Sequence, residues 1–127
     1  MGKMNFNTNW KSSTKPKKQV KYRLNAPAHI KGKMLRAHLS SELVKKYDKR
    51  TARVRKDDKV KIMTGQFKNK TGKVEVVDTK NFKVIIQGIG IQKTEGTKIR
   101  YPIAISNVMI TELTLSDKKR EVILKRK

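Results

Sequence analysis

From residue 59 onward, apolar residues fall on every second position. Val60 and Ile62 alternate with Lys59 and Lys61, Val74 and Val76 flank Glu75, and Phe82, Val84 and Ile86 repeat the pattern. A repeat of two places side chains on one face of an extended strand and cannot make a helical stripe. Ile89 and Ile91 continue it beyond Gly88, Ile99 and Tyr101 lead to Pro102, and the run Val108-Met109-Ile110 follows Ser106-Asn107. Thr79-Lys80-Asn81 and Thr94-Glu95-Gly96 supply turn chemistry between the runs. Five or six short strands therefore fit into about 55 residues, a spacing that suits a small barrel better than an open sheet.

The chain around these strands is strongly basic, with 33 Lys and Arg against 10 acids and a net charge of +23 over 127 residues. The excess is uneven. Residues 1–55 hold 16 Lys and Arg and 2 acids, residues 56–115 hold 11 and 6, and residues 116–127 hold 6 and 2. The middle has the balance of a domain, and the ends need a polyanion to neutralise them. Nucleic acid fits that role. A membrane does not, because no long helix with a wide apolar face is visible and no apolar run approaches the roughly 18 residues of a span. The start, MGKMNFNTNW, has no apolar signal core, and Phe6 stands where a myristoylation signal needs Ser or Thr. The absence of cysteine excludes disulfides, zinc ribbons and thiol catalysis.

Outside the strands the expectations are four segments. Residues 1–20 read as a flexible basic arm, with Phe6 and Trp10 as its aromatic exceptions. Residues 21–55 read as a basic extension with short helices: one or two turns after Pro27, then Leu43, Val44 and Tyr47 on one face behind a cap at Ser40 or Ser41. Residues 56–115 form a half-open SH3-like barrel. Residues 116–127 form a short helix capped by Ser116, with Asp117 in its first turn. The fold class is thus mainly β, a small barrel with helical extensions at both ends.

No catalytic constellation is present. His29 and His38 are nine positions apart with no carboxylate to orient either, and Asp57-Asp58, set among Arg53, Arg55, Lys56 and Lys59, reads as charge compensation or a turn. No enzyme activity, metal or cofactor is expected. The informative stretch is IMTGQFKNKTGKVEVV at 62–77. Gly65 would let the chain turn with positive φ, and Gly72 would reset it into the next strand or allow close backbone approach. Lys68 and Lys70 between them would be displayed to phosphates.

RKDDKVKIMTGQFKNKTGKVEVVD resembles a KOW motif: charged residues, apolar alternation, a glycine, a basic loop, then Gly-Lys-Val opening a strand. LSSELVKKYDKRTARVRKDDKV before it, TEGTKIRYPIAISNVMITEL after it and the tract KPKKQVKYRLNAPAHIKGKMLRAHLS resemble the archaeal and eukaryotic form of a ribosomal large-subunit KOW protein family, called twenty-four in bacteria and twenty-six in eukaryotes. The resemblance covers roughly residues 15–127. Ala104-Ile105 stands where the family has His-Pro, Gly32 where it is usually basic, and Asn69 where glycine is common. The resemblance implies a structural protein of the cytoplasmic ribosome that binds large-subunit ribosomal RNA near its 5′ domain. It also implies action early in subunit assembly, a place close to the polypeptide exit tunnel, and neighbouring large-subunit proteins as partners, with no membrane and no DNA. Two other classes, a transcription-elongation KOW module and an SH3-like adaptor for proline-rich segments, fit the length, the charged arms and the 6% aromatic content less well.

Phosphate contacts are expected from Lys15, Lys17, Lys18, Lys21, Arg23, Lys31, Lys33 and Arg36 in the arm and extension, with His38 and Tyr22 behind them. Arg50, Arg53 and Arg55, then Lys68, Lys70 and Lys73 of the loop region, and Lys98 and Arg100 of the last hairpin complete the set.

Overall fold

The computed structural model describes residues 6–126. The first five positions of the expected arm and Lys127 of the expected C-terminal helix lie outside the described residues. The chain divides into two compact units, residues 1–34 and 35–127.

The first unit is helical. A 3-10 turn, Thr8–Ser12, precedes α1 (Pro16–Asn25) and α2 (Ala28–Met34). Among the described residues of the expected flexible arm, Thr8–Ser12 and the stretch from Pro16 take regular structure, and local chemistry accounts for it. Asn7 caps the 3-10 turn by accepting from the Asn9 N–H, and Pro16 sits in the first turn of α1, where its missing N–H costs nothing. The helix ends because Pro27 disfavours the α region for Ala26, which is extended at ψ 139°. The Pro27 carbonyl then receives the N–H groups of Ile30 and Lys31 and opens α2.

The second unit is built on strands. β1 (Arg36–Leu39), β2 (Thr51–Arg53), β3 (Lys59–Ile62), β4 (Thr71–Asp78), β5 (Lys83–Ile86), β8 (Ile103–Ala104) and β9 (Val108–Glu112) form a seven-stranded sheet in the order β2-β1-β9-β3-β4-β5-β8. β6 (Gly90–Gln92) and β7 (Lys98–Arg100) make a separate two-stranded ribbon. Two helices complete the unit, α3 (Ser41–Tyr47) and α4 (Lys118–Lys125). A second 3-10 turn, Ile105–Asn107, links β8 to β9.

The period of two explains the burial. Val60, Ile62, Val84, Ile86, Val108 and Ile110 are buried, while their strand neighbours are exposed or half-buried. Each such side chain contributes about 1.5–3 kcal/mol. β4 is long because it changes partner: Thr71–Lys73 pair with β3, and Val74–Asp78 pair with β5 across an irregularity between Val74 and Val76. A bulge at that point bends the strand.

Two strands depart from the sequence expectation. β1 and β2 lie in the segment expected to hold only short helices, yet Leu35, Ala37, Leu39, Ala52 and Val54 are buried in the same core as the later strands. Their alternation rests largely on alanine, which is a weak apolar signal. β1 runs antiparallel to β2 but parallel to β9, with His38 opposite Met109 and Leu39 opposite Ile110. At the C-terminus the cap is Asp117, not Ser116: its carboxylate accepts the Lys119 N–H at 3.0 Å.

Candidate nucleic-acid interface

The segment between β3 and β4 is tightly closed. The Ile62 N–H donates to Lys70 O at 2.9 Å, and the Asn69 N–H donates to Ile62 O at 2.8 Å. Gly65 has φ +94° and Asn69 φ +70°, so the turn needs two residues in the left-handed region, which glycine and asparagine reach most easily. Gly72 plays a different part. A Cβ there would lie 2.7 Å from Ile86 Cγ2 and 2.8 Å from the Gln87 carbonyl oxygen, so β4 and the chain leaving β5 approach as closely as they do only over a bare backbone. Phe67 is an anchor that the sequence pattern does not reveal. It is buried, and its ring stands 5.2 Å from that of Tyr101. With Phe67 turned in, Gln66, Lys68, Asn69 and Lys70 face outward, and Lys70 Nζ lies 5.2 Å from the Phe67 ring centroid.

A second cluster of cations lies elsewhere, on the outer strands of the sheet. Arg36 of β1 and Arg53 of β2 are direct cross-strand partners. They share a groove of about 390 Å3 with Lys49, Arg50, Arg55 and the Ile123–Leu124 end of α4. Like charges placed opposite each other destabilise a sheet unless an anion sits between them. No acidic side chain lines this groove, and among the described residues Arg36, Lys49, Arg50 and Arg53 form no ion pair.

The floor of the groove is fixed by a buried ion pair. Arg120 donates from Nη1 to Asp58 Oδ1 at 2.6 Å and from Nη2 to Asp58 Oδ2. The same guanidinium reaches the carbonyls of Thr114 and Arg53 at 2.9 and 3.0 Å, and the Asp58 carboxylate also accepts the N–H groups of Arg55 and Thr114. Every buried polar atom here has a partner, which is the condition for such a pair to be tolerated. The sequence expectation for Asp58, local charge compensation or a turn, holds for the turn, since Asp58 closes it with its N–H on the Arg55 carbonyl and its carboxylate on the Arg55 N–H, but its charge is compensated by Arg120 and not locally. Its partner lies 62 residues away, and no local pattern could reveal it. Asp57 lies in the same turn, with φ +71°. Arg55 Nη1 meets Asp117 Oδ2 at 2.6 Å on the surface. That hydrogen bond, then the one from the Lys119 N–H, holds the Asp117 carboxyl below its ordinary value.

The expected phosphate contacts thus fall into groups. Arg36, Arg50, Arg53 and Arg55 come together in the groove beside α4. Lys68 and Lys70 share the closed loop. Lys73 and Arg100 line a second groove with Lys56, where Arg100 also lies 3.5 Å from Glu75. Lys98 is exposed on the two-stranded ribbon and lines neither groove. In the helical unit Lys15, Lys17, Lys21, Arg23 and Lys33 are exposed, and Lys18 and Lys31 are half-buried. Lys49 and Lys56 join these groups without having been expected. Each neighbours an expected arginine, and charge density alone would have included them.

A family model described as ribosomal proteins L26 eukaryotic, L24P archaeal matches residues 13–127. The large ribosomal subunit protein uL24 of Methanospirillum hungatei is 44% identical over 109 residues, covering 86% of this chain and 91% of that protein. The protein of the same name from Korarchaeum cryptofilum is 44% identical over 115 residues, covering 91% and 88%. That of Methanocella arvoryzae is 44% identical over 116 residues, covering 91% and 94%.

Proposed function

The chain belongs to the family of ribosomal proteins L26 of eukaryotes and L24P of archaea, and from that membership we propose how it works. It is a structural constituent of the large ribosomal subunit, not an enzyme, and it assembles with large-subunit ribosomal RNA and neighbouring ribosomal proteins. Its place is the cytoplasmic ribosome.

The observation that carries the mechanism is the unpaired cation cluster, with Arg36 opposite Arg53 and Lys49 and Arg50 beside them. Such an arrangement is favourable only when phosphates complete it. The same logic extends to the other expected contacts, Lys15, Lys17, Lys18, Lys21, Arg23, Lys31, Lys33, Arg55, Lys68, Lys70, Lys73, Lys98 and Arg100. Folded RNA is read mainly through shape and backbone, so these side chains act as distributed neutralisers around a rigid platform.

That platform is a half-open SH3-like KOW barrel over residues 56–115. The reading is supported by the return of β9 to β3, by the partner change within β4, and by the 3-10 turn ahead of the last strand. Gly65 and Gly72 are its backbone glycines. Residues 1–20 serve as a basic arm, residues 21–55 as a basic extension, and residues 116–127 as the closing helix. Binding near the 5′ domain of the RNA, early action in assembly and a position near the exit tunnel complete the proposal.

The test is affinity for a large-subunit ribosomal RNA fragment measured against salt. Log K should fall with a slope of about −0.7 to −0.9 per phosphate contacted. A flat dependence contradicts the mechanism. Cosedimentation with large subunits after a high-salt wash separates it from an association with RNA polymerase.

A further inference from the structure

The helical unit poses a problem that phosphate neutralisation does not solve. Residues 1–34 hold nine Lys and Arg and no acid, and Ala26 and Gly32 are the only buried residues among those described in the unit. Its aromatic rings are not in a core. Phe6 and Tyr22 stack with centroids 5.2 Å apart and planes inclined by 29°, and Lys18 Nζ sits over the Trp10 ring, 4.3 Å from its centroid. Trp10 and Tyr22 are both half-buried and line one groove of about 500 Å3. Ile30 adds an apolar wall, while Lys11, Arg23 and Lys33 stand around it.

An apolar and aromatic lining offers nothing to a phosphate, and a ring of cations is a poor seat for an apolar side chain of a protein. A nucleotide satisfies both parts. Its base has a π-face for an aromatic side chain, and its flanking phosphates need cations a few ångströms away. We infer that this groove receives an unstacked base of single-stranded RNA, stacked on Trp10 or Tyr22, with the adjoining phosphates on Lys11, Arg23 and Lys33. The inference rests on the RNA-binding reading above and goes beyond it, because it assigns part of the affinity to a base and not to the backbone. Lys18 supports the stack by fixing the indole from one side.

Trp10 is the only tryptophan in the chain, so its emission reports on this groove alone. The experiment titrates the full-length protein with a short oligouridylate and with a ribose-phosphate oligomer of equal length and charge that lacks bases. Affinity is followed independently by anisotropy of a labelled oligomer. The expected result is quenching of Trp10 by the oligouridylate, with binding about 5- to 150-fold tighter than that of the abasic oligomer. Trp10→Ala should remove most of that advantage and Trp10→Phe should restore part of it. Tyr22→Leu, which leaves Trp10 in place, should also reduce it. Equal affinity for the two oligomers, or a base advantage that survives both Trp10→Ala and Tyr22→Leu, overturns the inference. In that case retained binding of a large-subunit RNA fragment shows that the broader reading still stands. Loss of binding to the fragment as well would bring down both.

Discussion

The two units are held together by opposite means. In residues 35–127 the strands bury a continuous set of branched side chains, and a buried ion pair joins the strand region to the last helix. Among the described residues 6–34 the order comes from helix hydrogen bonds, a proline start, a ring stack and a cation–π contact. The first arrangement buries its apolar side chains and pairs its buried charges within itself. The second carries like charges with no acid to offset them, so its free energy improves when a polyanion arrives. One chain thus combines a unit with a buried apolar core and a segment whose uncompensated like charges favour a polyanionic ligand.

The largest expected effect tests the stronger half. Arg120→Met leaves the Asp58 carboxylate buried without its partner and should lower the stability of the strand unit by about 3–5 kcal/mol in urea unfolding. The double variant Asp58→Leu with Arg120→Met should recover a good part of the loss. A single variant with an unchanged midpoint would mean that the pair does not hold α4 in place. Removing residues 1–34 sharpens the contrast from the other side. The remaining chain should still unfold cooperatively, while its affinity for ribosomal RNA falls. The salt slope should shrink by about 0.7–0.9 for each phosphate that the shortened chain no longer neutralises. Equal slopes with and without the segment would erase the difference between the units.

The two glycines beside the basic loop give a finer comparison within the strand unit. Gly72→Ala puts a Cβ against backbone and Ile86 and should cost about 1–3 kcal/mol. Gly65→Ala meets no atom within 4 Å and is penalised only by its φ of +94°, about 1–2 kcal/mol. The reverse order would show that β4 can move away from the chain after β5. The smallest effect concerns acid. The lowered pKa of Asp117 means that its contribution is complete above the ordinary carboxylate value of about 3.9 and is lost as pH falls through the lower folded value. Loosening of the first turn of α4 below about pH 4, seen as a fall in the protection factor of the Lys119 amide relative to its intrinsic exchange rate at each pH, is the expected sign. Protection that persists in stronger acid would mean that the cap does not depend on the carboxylate's charge.

The later strands are legible in the sequence because Val and Ile mark a period of two clearly, and the turns at 79–81 and 94–96 carry recognisable residues. β1 and β2 are hidden for a physical reason. Their inward positions include Ala37 and Ala52, which bury well but barely register as apolar, and their pairing depends on a distant strand. The loop lysines are legible as exposed, whereas Phe67 is not legible as their anchor, because one aromatic in a polar run gives no period. The arginine groove is partly legible. Charge density points to Arg36, Arg50, Arg53 and Arg55, but only the register of β1 against β2 brings Arg36 opposite Arg53.

The parallel contact of β1 with β9 has a consequence in time. Leu39 finds Ile110 about 70 residues further along the chain, and Arg120 follows later still. A strand pairing of such long range closes late. During synthesis the N-terminal helices and β3 to β5 emerge before the sheet can be joined across its middle. The basic segment is therefore available to a polyanion while the domain behind it is still waiting for its ninth strand. The order of emergence makes completion of the sheet a late event, after the basic N-terminal segment has already left the site of synthesis.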